Sequence, residues 1–399
     1  MCIKTAVASV SGDRCISPVH RAKRDAPLWS WQNCAMTLSA RPLRACIDLD
    51  ALRHNYRLAR QLAPATRALA VIKANGYGHG AVAVARALAP EADGFAVACV
   101  DEALELRESG IQNPILLLEG SFSPDEIGQV DRAQLSMVVH SSQQLQWVLA
   151  ARPSRRLDCW IKLDSGMHRV GFAPEDFASV HARFAACPHV GALVAMTHFA
   201  RADEPEHPYT DQQLAVFGQA LAGLRLPRSL ANSAAILAWP QAHGDWTRPG
   251  IMLYGVSPLP DGHPLTADLR PVMSLESALI AIRDLLPGDA VGYGGRFVCD
   301  RPLRIGVAAV GYADGYPRHA RDGTPVAVNG QRTRLIGRVS MDMITLDLTG
   351  IDAHIGDPVE LWGRLIPVNA VAQASDTIAY QLFTGIGRRV SRSYVSSER

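Results

Sequence analysis

The chain has 399 residues, with 40 basic against 38 acidic side chains and a net charge of +2. That length calls for two domains, or one large barrel with an appendage, and the even charge balance argues against nucleic acid or an anionic membrane as partner. Eight scattered cysteines without a C-x-x-C pair, and histidines without an H-E-x-x-H spacing, give no support to a metal site and suit a reducing, cytoplasmic setting; no apolar run reaches the length of a membrane span.

Residues 1–35 show no usable hydrophobic period and several basic side chains (Arg14, Arg21, Lys23, Arg24), and they lack the apolar centre of a secretory signal. They read as a disordered or non-native extension, with Met36 as an alternative start and a transit peptide as the lesser option. The first clear strand is Arg44–Leu49. Asp48 or Asp50 then caps a helix over Leu52–Leu62 whose face carries Leu52, Tyr56, Ala59 and Leu62. Eight short apolar strands follow: Ala68–Lys73, Gly94–Cys99, Pro114–Leu118, Ser136–His140, Asp158–Asp164, Ala192–His198, Ser229–Asn232 and Ile251–Tyr254. Helical stretches such as Ala81–Leu88, Asp101–Ser109, Ser142–Leu149 and Thr210–Leu224 lie between them. This alternation predicts an α/β domain over residues 36–270, a closed (β/α)8 TIM-like barrel. An open doubly wound sheet is the alternative, but no Rossmann-type glycine fingerprint follows the first strand. Past Pro271 the texture changes to short strands punctuated by Gly, Pro, Asn and Asp, with one helical segment at Val368–Ala374. Residues 271–399 therefore read as a mostly-β C-terminal domain.

In β/α barrels reactive groups gather at the C-terminal ends of the strands. The first end gives Lys73 and Tyr77 within Val71-Ile72-Lys73-Ala74-Asn75-Gly76-Tyr77-Gly78-His79-Gly80. A lysine closing a buried strand is either a solvated cap or, partly desolvated, a nucleophile or base, and the glycines let a ligand approach the backbone. The fifth end gives Lys162, Asp164 and Arg169; the sixth gives Thr197, His198 and Arg201; the seventh gives Asn232 and Ser233, before Arg248-Pro249-Gly250-Ile251. Ser233 with the amides of Gly250 and Ile251 suits a phosphate, while Asn232-Ser233 equally suits the cap of a helix starting at Ala234.

The segment Val71–Gly80 resembles the cofactor-lysine motif of the alanine racemases. Further segments resemble that family in order: Lys162–Arg169, Thr197–Ala200, Asn232–Ala234, Arg248–Gly255, Gly311–Gly315 and Gly337–Asp342. Together they span about residues 43 to 395. The resemblance implies a pyridoxal-phosphate-dependent isomerase that interconverts L- and D-alanine by a two-base mechanism. Its product would feed peptidoglycan synthesis, or it would open alanine catabolism. Lys73 would hold the cofactor as a Schiff base and serve as one base. Tyr312, reaching across a homodimer with shared active sites, would be the other. Tyr77, Ser233, Gly250 and Ile251 would bind the phosphate, Arg248 would face the pyridine nitrogen, and His198 would stand beside the ring, with Asn232 nearby. Arg169 and Met341 would contact substrate, supported by Asp342 and by Lys162, a position that can be carbamylated in the family. For Asn232, Asp314 and Asp342 a structural role fits equally.

The chemistry is coherent with these roles. Inverting an α-carbon needs two bases flanking a planar carbanion, and lysine and tyrosine both start near pKa ~10 in water, so the site has to lower them. An arginine at the pyridine nitrogen discourages its protonation and favours racemisation over the chemistry of barrel decarboxylases, which place an acid there. A broad-specificity racemase and a non-catalytic pyridoxal-phosphate carrier are the rival readings. One departure stands at Gly387-Arg388-Arg389-Val390-Ser391-Arg392, where arginine occupies the place of a tyrosine found in some members and bears on pocket size.

Overall fold

Asp48 marks the first change of direction in the chain. Its side chain accepts from the amides of Asp50 (3.1 Å) and Ala51 (2.9 Å), capping a helix over Leu49–Leu62 directly after strand β1 (Arg44–Asp48). The expected face is the buried one, with Leu52, Tyr56 and Ala59 almost fully covered. The Tyr56 hydroxyl donates to Ala68 O (3.0 Å), pinning the helix to the strand that follows. The computed structural model describes residues 41–260 and 262–396, so the expectations for residues 1–35 lie outside the described residues.

Eight parallel strands come next: β2 (Arg67–Val71), β3 (Gly94–Val97), β4 (Ile115–Leu117), β5 (Ser136–Val139), β6 (Leu157–Lys162), β7 (Val190–Met196), β8 (Arg228–Ser229) and β9 (Trp246–Thr247). They pair in the order β8-β7-β6-β5-β4-β3-β2-β9. Backbone bonds from Asp245 N to Arg228 O (2.9 Å) and from Arg248 N to Ala231 O (2.9 Å) join β9 to β8 and bring the ring to closure. Strands β3 and β4 are unbroken apolar runs because helices cover one face and packed side chains the other.

The eighth strand is not where the sequence placed it. Ile251–Tyr254 forms a 3-10 turn, with Leu253 N bonded to Gly250 O (2.9 Å), and the strand is the preceding pair Trp246–Thr247. A buried apolar run of four residues looks the same in either conformation, and a two-residue strand has no apolar period to reveal it.

The second domain is built on β10 (Met273–Leu285), with β11 (Ala290–Val291), β12 (Phe297–Val298), β13 (Leu303–Ala308), β14 (Pro325–Val328), β15 (Gln331–Ile336), β16 (Ile344–Asp347), β17 (Pro358–Trp362) and β18 (Ser391–Val395). The antiparallel pairings β10–β13–β16–β15–β14–β17–β10 form a closed circuit, so this mostly-β domain is itself a small barrel. Its centre includes Trp362 stacked with Tyr316, ring centroids 6.1 Å apart. Strand β1 belongs to this sheet: it pairs antiparallel with β10 and parallel with β18. The helix Val368–Ala374 is observed as expected, and a further helix, Ala379–Thr384, follows it.

Two glycines test this account. Gly255 has φ +78°, and a Cβ there would stand 1.8 Å from Arg270 O, whereas Gly218 lies exposed inside the helix Tyr209–Ala220 with open space around it. Gly255→Ala should lower the thermal midpoint, costing more than about 1 kcal/mol, and Gly218→Ala should raise it by a gain of about 0.4–1 kcal/mol. Melting curves by circular dichroism on the two variants check both signs.

Candidate active site

Strand β2 ends at Val71, and Lys73 opens a turn of reversed hand. Ala74, Asn75, Gly76 and Tyr77 have φ of +52°, +53°, +60° and +51°. A left-handed turn costs roughly 1–2 kcal/mol for each residue with a Cβ, so its neighbours have to hold it in place. Glu102 does so at the start, accepting from Ala74 N (2.6 Å) and Ala98 N (2.7 Å), and Asn75 Oδ1 accepts from Ala81 N (2.9 Å). The second domain closes over the end. Arg392 Nε donates to Gly78 O (2.7 Å), and a Cβ on Gly78 or Gly80 would lie 2.0 Å from Phe383 O or the Tyr394 hydroxyl. His79 is fully buried beneath the turn, with Nδ1 2.8 Å from Tyr77 O and its ring against Tyr254 and Phe383. Burial holds it neutral, at a pKa of about 3.

The turn delivers Tyr77 to a cradle. Its ring stacks on Tyr254 at 4.8 Å, and burial pushes its phenol well above the ordinary value. A Cβ on Gly250 would stand 2.7 Å from the Tyr77 hydroxyl and 3.8 Å from Ser233 Oγ, so glycine keeps that space open. Ser233 Oγ accepts from Gly250 N (2.8 Å) and Met252 N (3.3 Å), which leaves its own proton available to a ligand oxygen. Ile251 is buried between those two residues. Asn232 is the helix cap: its Oδ1 accepts from Ala235 N (3.0 Å), ahead of the helix Ser233–Ala238.

Across the mouth lies Arg248, 3% exposed. Its guanidinium donates to Ser229 Oγ (2.6 Å), Thr197 O (2.7 Å) and Leu230 O (3.0 Å), and stands 3.4 Å from His198 Nδ1. These partners are all neutral, and burial lowers the Arg248 pKa to about 9. His198 is held well below its ordinary value by burial and then by Arg248, Lys162, Arg169 and Lys73. As a neutral ring accepting at Nδ1, it presents Nε2–H as a donor. Lys162, buried at the end of β6, is brought down to about 8 by burial and by Arg248, Arg169 and Lys73, with Asp164 opposing. Asp164 does not bind Lys162 or Arg169 as an ion pair. It accepts from the amides of Gly166 and His168 (both 3.0 Å) and pairs with the His168 ring (3.2 Å). Arg169 is exposed beside this group.

The structure thus brings Lys73, Tyr77, Lys162, Arg169, His198, Asn232, Ser233, Arg248, Gly250 and Ile251 to one barrel mouth. The second-domain residues form another group. Tyr312 is 40% exposed and Met341 52% exposed. The Tyr312 amide donates to Ser340 O (3.0 Å) and that of Ala313 to Met341 O (3.0 Å), so the two loops run together. Arg318 lies over the Tyr312 ring at 5.7 Å, and Asp342 pairs with Arg389. Sequence reasoning missed Glu102, Ser229 and Tyr254 as supports of the site. A carboxylate early in the helix Val100–Glu108 facing the lysine strand's turn was the one available signal for Glu102.

Comparison with known proteins accords with this geometry. The family described as "Alanine racemase, N-terminal domain" matches residues 47–258, and "Alanine racemase, C-terminal domain" matches residues 272–394. A catabolic alanine racemase of Pseudomonas aeruginosa is 56% identical over 355 residues, covering 89% of this chain and 99% of the relative. Among solved structures, the biosynthetic alanine racemase of P. aeruginosa aligns with a TM-score of 0.87 at 50% identity, covering 89% of this chain and 100% of that one. An alanine racemase of Bartonella henselae with covalently bound pyridoxal phosphate aligns with a TM-score of 0.82 at 31% identity, covering 89% and 99%.

The crowding of positive charge at the mouth has a measurable consequence. The Lys162 amine titrates near 8 in the folded chain and near 10.5 when unfolded, so between those values the unfolded chain binds more protons and stability rises with pH. Below about pH 8 the full penalty is present, on the order of 3 kcal/mol. Lys162→Met should therefore raise the melting temperature at pH 7 and flatten the gain from pH 8 to 10.5, measured by calorimetry in buffer stripped of carbon dioxide.

Proposed function

The chain belongs to the alanine racemase family, and from that premise we propose that Lys73 and Tyr312 are the two bases between which alanine is inverted. The reaction is the interconversion of L- and D-alanine. Pyridoxal phosphate is the cofactor, and when bound it supplies an electron sink for the negative charge left at the α-carbon.

The barrel mouth fits that group. The observation that carries the reading is a set of four cations (Lys73, Lys162, Arg169 and Arg248) beside a cradle kept open at Gly250. Such a field favours an anion. Tyr77 and Ser233 would hold the phosphate with their hydroxyls, and Gly250 and Ile251 with their amides. Arg248 would meet the ring nitrogen. Among the described residues its acceptors are neutral, so no carboxylate offsets the guanidinium charge, which disfavours a second proton beside it. His198 donates from the flank, and Arg169 receives the substrate carboxylate. Lys162, its amine near 8, is available for carbamylation, and a carbamate's negative charge would orient Arg169.

Lys73 lies at the barrel's own mouth, whereas Tyr312 and Met341 are exposed on the second domain. We place Tyr312 and Met341, with Asp342 behind them, in the mouth of a partner subunit, so that each site of a homodimer takes one base from each chain. Lys73 then takes or returns the α-proton on one face and Tyr312 on the other. Among the described residues no helix is long and apolar enough to cross a membrane, and Cys46, Cys99, Cys159, Cys187 and Cys299 are free thiols, which suits a cytoplasmic enzyme.

With L-alanine in D₂O, the holoenzyme should lose optical rotation while the α-carbon gains deuterium, and Lys73→Ala or Tyr312→Phe should suppress both by at least about a hundredfold. Mixing the two inactive variants and allowing subunits to exchange should restore up to about a quarter of normal activity, because half the dimers then carry one intact site. Cofactor binding without α-exchange would instead mark a carrier, and no recovery on mixing would overturn the shared site.

A further inference from the structure

The turn that carries Tyr312 is tied from within by a carboxylate. Asp314 is buried, and its Oδ2 accepts from Gly311 N (2.8 Å), closing the turn. Asparagine would serve that bond equally well. The negative charge is used by the other oxygen: Asp314 Oδ1 accepts from Arg389 Nε (2.6 Å) and also pairs with Arg41. Each arginine goes on to the neighbouring loop. Arg389 pairs with the Asp342 carboxylate, and Arg41 donates to Asp342 O (2.8 Å). Two guanidinium forks thus span the same two loops, one bearing Tyr312 and the other Met341 and Asp342.

The Tyr312 hydroxyl has no hydrogen bond of its own among the described residues, and its ring is exposed. The direction of the phenol is therefore set by the loop and by Arg318 over the ring. Backbone bonds join the two loops along one edge, and a Cβ on Gly311 would lie 2.2 Å from Met341 O, so the loops are already in contact there. The arginines add side-chain links between the same loops. A buried carboxylate is a costly means of gaining stability, since apolar side chains of similar size do as well, but it selects one geometry. Only arginine can hold two acceptors in a fixed fork.

We infer that Arg389, acting through the buried carboxylate of Asp314, is a positioning residue for Tyr312 in racemisation. The inference rests on the proposed role of Tyr312 as a base. Arg41 pairs with the same carboxylate oxygen.

The test is the primary isotope effect of α-deuterated alanine, measured separately from the L and the D side on the dimeric holoenzyme. A base set slightly out of place slows its own proton transfer. In Arg389→Met, kcat/KM should fall about ten- to hundredfold in both directions, since the two enantiomers are in equal equilibrium. The isotope effect should rise from the one side whose proton Tyr312 removes and stay level or fall from the other. Arg389→Lys, which reaches one acceptor, should sit between wild type and Arg389→Met. Asp342→Asn, which keeps Asp314 intact, gives a milder shift of the same sign and serves if Arg389→Met does not fold. Unchanged kinetics in these variants would overturn the inference, and so would a lower rate with neither isotope effect moved, because that marks a loss of folded enzyme. Tyr312→Phe beside them separates the two claims: if it leaves racemisation intact, the base assignment itself fails.

Discussion

Arg248 is an ion placed where water cannot reach it, and among the described residues it is answered only by neutral oxygens and a histidine ring. Desolvating a guanidinium without a counter-ion is unfavourable, and Lys162 stands close enough to feel it, while Arg169 and Lys73 act on the same neighbours. The rest of the mouth follows from that. His198 has to stay neutral, Lys162 is driven toward its free amine, and the open space at Gly250 faces a field that favours negative ligands. The fold tolerates this because Thr197, Ser229 and Leu230 come from adjacent barrel segments and hold the guanidinium in one orientation. Positive charge stored in the protein becomes affinity for an anionic ligand.

A second store of unfavourable energy lies in the left-handed turn from Ala74 to Tyr77. Its supports come from both domains: Glu102 from the barrel, and Phe383, Arg392 and Tyr394 from the C-terminal segment. Lys73 and Tyr77 are therefore presented by a piece of chain that neither domain could keep in shape unaided. Here the boundary between barrel and second domain is a boundary of sequence more than of mechanics.

Much of this was legible in the chain. Apolar runs placed seven barrel strands and the main strands of the second domain, because strands buried on both faces leave no alternation to confuse. Strand ends then located the mouth, and a string of matched segments supplied the chemistry. What could not be read has physical causes. Ile251–Tyr254 was buried and apolar, and burial does not distinguish a 3-10 turn from a strand. Strand β1 read as a prelude to the barrel, since its pairing with Met273–Glu276 and Ser391–Val395 is a matter of distant partners. The left-handed turn was hidden because only one of its four residues is a glycine. Asp314 and Asn232, each open to a structural or a functional reading, both turned out to hold backbone amides, and Asp314 holds two arginines besides.

The pairing of β1 also bears on how the chain is made. During synthesis β1 emerges early, but its partners lie on β10 and β18, far along the chain. At ribosomal speed the wait for β10 is on the order of ten seconds, far longer than a helix or a hairpin needs to form. All eight barrel strands are synthesised before that time, so they emerge behind a strand whose edges are still unpaired. Until β18 leaves the ribosome, β1 lacks its partner on that side and is an edge of the kind open to pairing elsewhere.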